Sequence, residues 1–167
     1  MDYKSLITDV QNFPIDGVNF KDISPLLASP KFGEVINEMG KLVEKPDYWV
    51  GIESRGFIFA SALSLKFGGG IILCRKAGKL PGNTITKNYV TEYSKDELSI
   101  QLGNGKVIIV DDVLATGGTL NTVDSICSSA GYDVLGSLVL IDLKYVPRNN
   151  KFLNMTSPFI KSLIQYE

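Results

Sequence analysis

The sequence predicts an α/β protein with a central, mainly parallel sheet flanked by helices. Three observations carry this expectation. Short apolar runs alternate with segments of helical spacing in the order strand, helix, strand, helix, strand, the pattern of a parallel sheet with crossover helices. The run Val107–Val110 is continuously apolar, as a strand buried on both faces must be. The chain of 167 residues is 44% hydrophobic, enough for one sizeable core without a second domain, so residues 1–167 are expected to fold as a single domain.

Each element has its own signal. Tyr3, Leu6, Ile7 and Val10 fall at helical spacing and predict an amphipathic opening helix that Phe13-Pro14 ends. From Pro14 to Leu27 no period is sustained, so an irregular connection is expected. Ser29-Pro30 reads as an N-cap and first-turn proline for a helix carrying Phe32, Val35, Ile36, Met39, Leu42 and Val43, closed by Pro46. Tyr48–Ile52 is a short apolar strand, and Phe57–Phe67 a mostly buried helix that stops at Gly68-Gly69-Gly70. Ile71–Cys74 is the next strand. The stretch from Arg75 to Asn104 is basic and Gly/Pro-punctuated at first, then alternates around 88–93 and 97–102, which predicts a long loop running into a hairpin. Lys106–Val110 is the central strand, Gly118–Ala130 a helix stopped by Gly131, and Val134–Leu143 a further long strand. Lys144–Pro158 reads as loop, and Phe159–Tyr166 as a last strand.

Composition removes whole classes of function. The chain has no histidine, so it builds no Ser-His-Asp triad, no Cys-His pair and no His-ligated zinc site. Its net charge is −1, from 17 basic and 18 acidic residues, so no global field draws it to nucleic acid or to an anionic membrane. Neither is expected as a partner, and any anion site must be local. Cys74 and Cys127 sit far apart and read as small buried hydrophobes, without a disulfide framework or a secretory leader pattern, so a reduced, cytoplasmic protein is expected. The apolar runs are too short to span a bilayer. Arginine occurs only at Arg55, Arg75 and Arg148, against 14 lysines; bidentate phosphate recognition is one reason to keep an arginine in such a chain.

The chemistry concentrates in VIIVDDVLATGGT, Val107 to Thr119. A buried strand fixes where Asp111 and Asp112 emerge, at the C-terminal end where open α/β sheets bind ligands. Gly117 and Gly118 allow the backbone close to an anion, and the helix behind them supplies free N–H groups and a favourable dipole. Thr116 and Thr119 add hydroxyls. The two carboxylates, directed to different sides, suit a diol such as ribose, so one turn holding phosphate and sugar implies a sugar phosphate. Nothing in the chain fits GxxxxGK[ST], which argues against a P-loop nucleotide hydrolase.

VIIVDDVLATGGT resembles the phosphoribosyl pyrophosphate motif of the type I phosphoribosyltransferases. Around it GVNFKDISPLL (17–27), GIESRGFIF (51–59), RKAGKLPGNT (75–84), VTEYS (90–94) and the closing SLIQYE resemble the adenine-specific members, in order and over nearly the whole chain. The resemblance implies the type I phosphoribosyltransferase fold, with a small hood from residues 1–30 and a mobile flap hairpin in 75–104. It implies transfer of ribose 5-phosphate from 5-phosphoribosyl 1-pyrophosphate to adenine, giving AMP and pyrophosphate, by a homodimer. Mg²⁺ would be carried on the substrate, with no protein ligand assigned directly.

Carried over residue by residue, Ala115, Thr116, Gly117, Gly118 and Thr119 would hold the 5-phosphate, and Asp111 and Asp112 the ribose hydroxyls. Ser54 and Arg55, in a loop with a non-proline cis bond at Glu53-Ser54, would meet pyrophosphate together with Arg75, Lys76 and Lys79 of the flap, Arg75 acting across the dimer interface. Asn19 and Phe20 would hold adenine, Phe20 by stacking and position 19 through its backbone, and Lys21 would be a possible phosphate contact. Asn19 stands where the family has an apolar residue, and Lys21 where it has arginine. Glu92 would be the general acid/base for the proton on the attacking ring nitrogen, histidine being absent. A 6-oxopurine such as xanthine or hypoxanthine is the alternative acceptor, and a noncatalytic phosphoribosyl pyrophosphate-sensing regulator the alternative from another class.

Overall fold

The structure is a computed structural model that describes residues 2–90, 95–149 and 158–167. A two-stranded antiparallel sheet of β1 (Thr8–Gln11) and β2 (Asn19–Asp22) leads into the short helix α1 (Ser24–Leu27) and then α2 (Phe32–Gly40). The main body follows as β3 (Tyr48–Ile52), α3 (Gly56–Phe67), β4 (Gly70–Lys76), β5 (Thr84–Val90), β6 (Lys95–Gln101), β7 (Gly105–Leu114), α4 (Gly118–Ala130), β8 (Tyr132–Leu143) and β9 (Ile160–Tyr166). These strands form one seven-stranded sheet in the order β5-β6-β4-β3-β7-β8-β9. From β4 to β9 neighbouring strands are parallel, while β6 and β5 add an antiparallel edge.

The apolar run of β7 explains the layering. Side chains alternate across a strand, so Val107 and Ile109 enter one core with Leu120, Val123, Ile126 and Cys127 of α4, and Ile108 and Val110 enter the other with Met39, Phe59 and Leu63 of α2 and α3. All four strand residues are fully buried. Each such side chain contributes about 1.5–3 kcal/mol relative to exposure, and none can be moved to the other face without losing that.

Several segments differ from the sequence expectations: 14–27, expected to be irregular, holds β2 and α1, and the central strand runs past Val110 to Leu114. The opening helix is a single 3₁₀ turn, Tyr3–Leu6, capped by the Asp2 carboxylate. Ile7 then turns extended and β1 pairs with β2, so Tyr3, Leu6 and Ile7 pack on the core while Val10 belongs to a strand. Helix α2 ends at Gly40, short of Leu42 and Val43, where the Phe67 ring of α3 packs so closely that a Cβ would lie 2.0 Å from it. The hairpin starts at Thr84 rather than near Asn88 and is part of the main sheet. Leu98 and Ile100 are buried in the α4-side core, and Lys87 Nζ donates to Ser125 Oγ on α4 at 2.6 Å.

Candidate active site

A cleft of about 590 Å³ opens at the C-terminal ends of β3, β7 and β8, walled on one side by β2. This is the end at which open α/β sheets bind ligands. Asp111 and Asp112 line it from the C-terminal half of β7, and Ser54 and Arg55 line it where β3 runs into α3.

Gly56 lets these two strand ends meet. A Cβ there would lie 2.7 Å from the Val110 carbonyl oxygen and 3.2 Å from Asp111 Oδ1, so only glycine brings the start of α3 against β7. The approach places Arg55 Nε 2.8 Å from Asp112 Oδ2. The N–H is not aimed along that line, so the contact is ionic and Oδ2 is left buried without a hydrogen-bond donor. The Arg55 guanidinium also lies 4.9 Å from the centre of the Phe20 ring.

Asp111 is in a different state from its neighbour. Burial, followed by the adjacent Asp112 carboxylate, pushes its carboxyl well above the ordinary range. Its Oδ1 accepts the Asp112 N–H at 2.9 Å, which recovers part of that cost. Two acids side by side, one paired with a cation and one holding its proton more tightly, form a graded acceptor pair.

Ala115 and Thr119 line the cleft at the two ends of the turn that opens α4. Between them Gly117 takes φ 87°, a left-handed conformation that favours glycine. Thr116 Oγ1 accepts the Gly118 N–H at 3.4 Å, and the cap residue Gly117 has no side chain to bond the other first-turn N–H groups of α4, which are open to an anion.

The basic residues of the expected pyrophosphate site are gathered but occupied. Glu53, nearly buried, receives Arg75 Nε at 3.0 Å and Lys79 Nζ at 2.9 Å. Burial opposes its charge, but these two cations hold its carboxyl below the usual range. Lys76 lines the cleft and reaches Asp96 at 3.6 Å. The Glu53-Ser54 peptide is cis. Glu53 falls in the ESRG loop, 53–56, expected to meet pyrophosphate, and nothing local in the sequence marks it as the anchor of Arg75 and Lys79.

Asn19 and Phe20 line the cleft from β2, with the Asn19 Oδ1 buried and unpartnered and the Phe20 ring edge-on to Phe13 at 5.1 Å. Lys21 also lines the cleft, with its ammonium already paired. Its ammonium bonds Asp9 and lies 4.0 Å from the centre of the Tyr166 ring, with the side chain 4% exposed. Glu92 lies outside the described residues. Cys74 and Cys127 are buried and free, and burial pushes the Cys74 thiol up to about 12, far from a reactive thiolate.

Comparison with known proteins agrees with this geometry. A phosphoribosyl transferase domain matches residues 28–157. An adenine phosphoribosyltransferase of Hydrogenovibrio crunogenus is 45% identical over 95% of this chain and 92% of its own length. The chain belongs to the adenine phosphoribosyltransferases. Members of this family are transferases of purine salvage, and the sheet order and cleft described above have the family's type I fold. The crystal structure of the adenine phosphoribosyltransferase from Thermoanaerobacter pseudethanolicus superimposes with a TM-score of 0.88 at 36% identity, covering 98% of this chain and 97% of that one. That of the Giardia lamblia APRTase, solved with 9-deazaadenine, gives 0.89 at 30% identity, covering 99% and 97%. Among the described residues no helix is long and apolar enough to cross a membrane.

The acid pair yields a pH-dependent expectation. Below the ordinary value of 3.8 Asp111 is protonated folded and unfolded alike. Above it, the raised folded-state value means that stability falls as pH rises through that value and Asp111 ionises. Asp111→Asn should therefore melt higher than the parent at pH 7, by about 2–4 °C for each kcal/mol relieved, with the gap closing toward pH 4. Melting curves at several pH values check this; a variant less stable at pH 7 than at pH 4, relative to the parent, contradicts it.

Proposed function

We propose that this cleft carries out the family's reaction on adenine and 5-phosphoribosyl 1-pyrophosphate with the residues it gathers. Residues 115–119 take the 5-phosphate on backbone N–H groups and the Thr116 and Thr119 hydroxyls. Asp111 and Asp112 accept from the ribose hydroxyls. The carrying observation is Asp112 Oδ2, a buried acceptor at the cleft with no donor, one short loop away from an uncapped helix N-terminus. A sugar hydroxyl and a phosphate joined by a few bonds satisfy both at once.

The diphosphate takes Arg75 and Lys79 from Glu53, and Lys76 and Ser54 join them, while Arg55 bridges diphosphate and base. Phe20 stacks on the adenine ring, and Asn19 provides an acceptor toward its exocyclic amine, through its carbonyl or its unpartnered Oδ1. The ring nitrogen attacks the anomeric carbon as the bond to diphosphate breaks, and Glu92 accepts the proton that the ring nitrogen loses. Residues 1–30 hood the base and 75–104 cover the donor, excluding water from an oxocarbenium-like centre that would otherwise be hydrolysed.

Mg²⁺ fits this site as an ion carried by substrate. The carboxylates that line the cleft are Glu53, Asp111 and Asp112, and Glu53 is taken up by Arg75 and Lys79. Such an ion would be held through substrate oxygens and water beside Asp111 and Asp112, and would supply neutralising charge for the departing diphosphate.

A homodimer follows from an uncovered apolar face. Ile71 and Leu73 on β4 and Ile58 and Leu65 on α3 are exposed, Leu65 by 91%. By alternation Arg75 shares the face of Ile71 and Leu73, opposite Ile72 and Cys74, which pack on the α4 side. Contact between two copies through this face brings Arg75 to the boundary of the partner's cleft. The buried reduced thiols suit a cytoplasmic setting.

Incubation of the donor with adenine, hypoxanthine, guanine or xanthine tests the acceptor. AMP should form from adenine, with the oxopurines giving no product, and product from an oxopurine alone would overturn the reading. Glu92→Gln should lower kcat by about 100-fold or more while donor affinity stays near that of the parent; unchanged turnover removes Glu92 from the mechanism. Leu73→Glu should convert a dimer to a monomer in light scattering, and a parent that is already monomeric would refute the assembly.

A further inference from the structure

Arg148 is the one arginine that the reaction leaves without a role, and it lies behind the Ala115–Thr119 turn rather than in the cleft. Its Nη1 donates to the Ala115 carbonyl and, at 3.1 Å, to the Leu143 carbonyl, and its Nη2 donates to Asp142 Oδ1. Asp142, at the end of β8, is 3% exposed, and its other oxygen is paired with Lys144 Nζ at 2.7 Å. The next residue repeats the contact, with the Asn149 N–H donating to the Thr116 carbonyl at 2.9 Å. Two successive carbonyls of the turn are therefore tied to residues 148 and 149.

The consequence follows from peptide geometry. In a planar trans peptide the C=O of one residue and the N–H of the next point in opposite directions. A carbonyl of Ala115 held toward Arg148 turns the Thr116 N–H the other way, and a carbonyl of Thr116 held toward Asn149 does the same for Gly117. Without these anchors a turn with a left-handed glycine at its centre has peptide planes free to flip, and a flipped plane would offer an oxygen where an anion needs a donor.

We infer that Arg148, oriented by Asp142, is a positioning residue that fixes the Thr116 and Gly117 N–H groups toward the 5-phosphate. The inference rests on assigning this turn to the 5-phosphate. Arginine suits the task because its rigid fork bonds two carbonyls and a carboxylate in one plane, which a lysine ammonium does not reproduce. The segment after β8 thus acts on phosphate binding from outside the cleft, with no contact to substrate of its own.

Calorimetric titration of the parent, Arg148→Met, Arg148→Lys and Asp142→Asn with ribose 5-phosphate, and separately with inorganic diphosphate and Mg²⁺, tests it. Both Arg148 variants should bind ribose 5-phosphate about tenfold or more weakly, the loss of a charge-assisted contact, with diphosphate affinity within about twofold of the parent. Asp142→Asn should show the same selective loss to a smaller degree. In steady-state kinetics KM for the donor should rise while KM for adenine stays put. If Arg148→Met does not fold, Arg148→Lys decides, since it keeps the charge and loses the fork. Ribose 5-phosphate affinity unchanged in a folded variant, or an equal fall for diphosphate, overturns the inference. A parent that fails to bind ribose 5-phosphate overturns instead the assignment of the turn.

Discussion

Burial of β7 on both faces is the constraint from which the site follows. Val107, Ile108, Ile109 and Val110 divide between two cores, so neither register nor direction of the strand can change without exposing a pair of them. The C-terminal end of the strand is then fixed, and Asp111 and Asp112 stand there, ahead of Val113 and Leu114, which continue into the two cores. The turn to α4 and the start of α3 are placed by the same strand, one by continuity and the other through the close approach of Gly56 to the Val110 carbonyl. The acid pair, the turn and the start of α3 are three readouts of one buried strand.

The electrostatics of the cleft balance internally. Arg55 stands on Asp112, Arg75 and Lys79 stand on Glu53, and burial and the adjacent Asp112 push the Asp111 carboxyl up. In the reading proposed above, a donor carrying phosphates and hydroxyls would exchange each of these contacts for one of its own, and the cations would pass to an anion without being exposed singly beforehand. The cations are partly exposed but Asp112 and Glu53 are nearly buried, so removing a cation without a replacement partner for its acid is costly. The Asp111–Asp112 juxtaposition is the costly element, and it sits at a site of function, where such costs concentrate.

Periodicity was most informative where burial is complete. The strands Tyr48–Ile52 and Lys106–Val110 and the helices 57–67 and 118–130 were legible because both faces or one whole stripe must be apolar. It failed at the opening segment, where Tyr3, Leu6, Ile7 and Val10 match helical spacing yet serve a 3₁₀ turn and a strand whose partner lies ten residues on. Long-range pairing of that kind leaves no local signal. In the site, Asp111, Asp112, Ser54, Arg55, Asn19 and Phe20 converge as the motifs implied, because short loops at strand ends carry them. Glu53 and Arg148 were opaque for a physical reason. Their roles lie in partners far away in sequence, Arg75 and Lys79 for one and the Ala115 carbonyl for the other.

A crystal structure of the AMP complex tests the central claim most directly, since AMP joins base, ribose and 5-phosphate in one ligand. The account predicts the phosphate within hydrogen-bond distance of the backbone N–H groups of residues 116–119, a ribose hydroxyl on Asp112 Oδ2 and the purine over Phe20. A phosphate bound at Arg75 and Lys79 instead, with the turn at the end of β7 untouched, would contradict it.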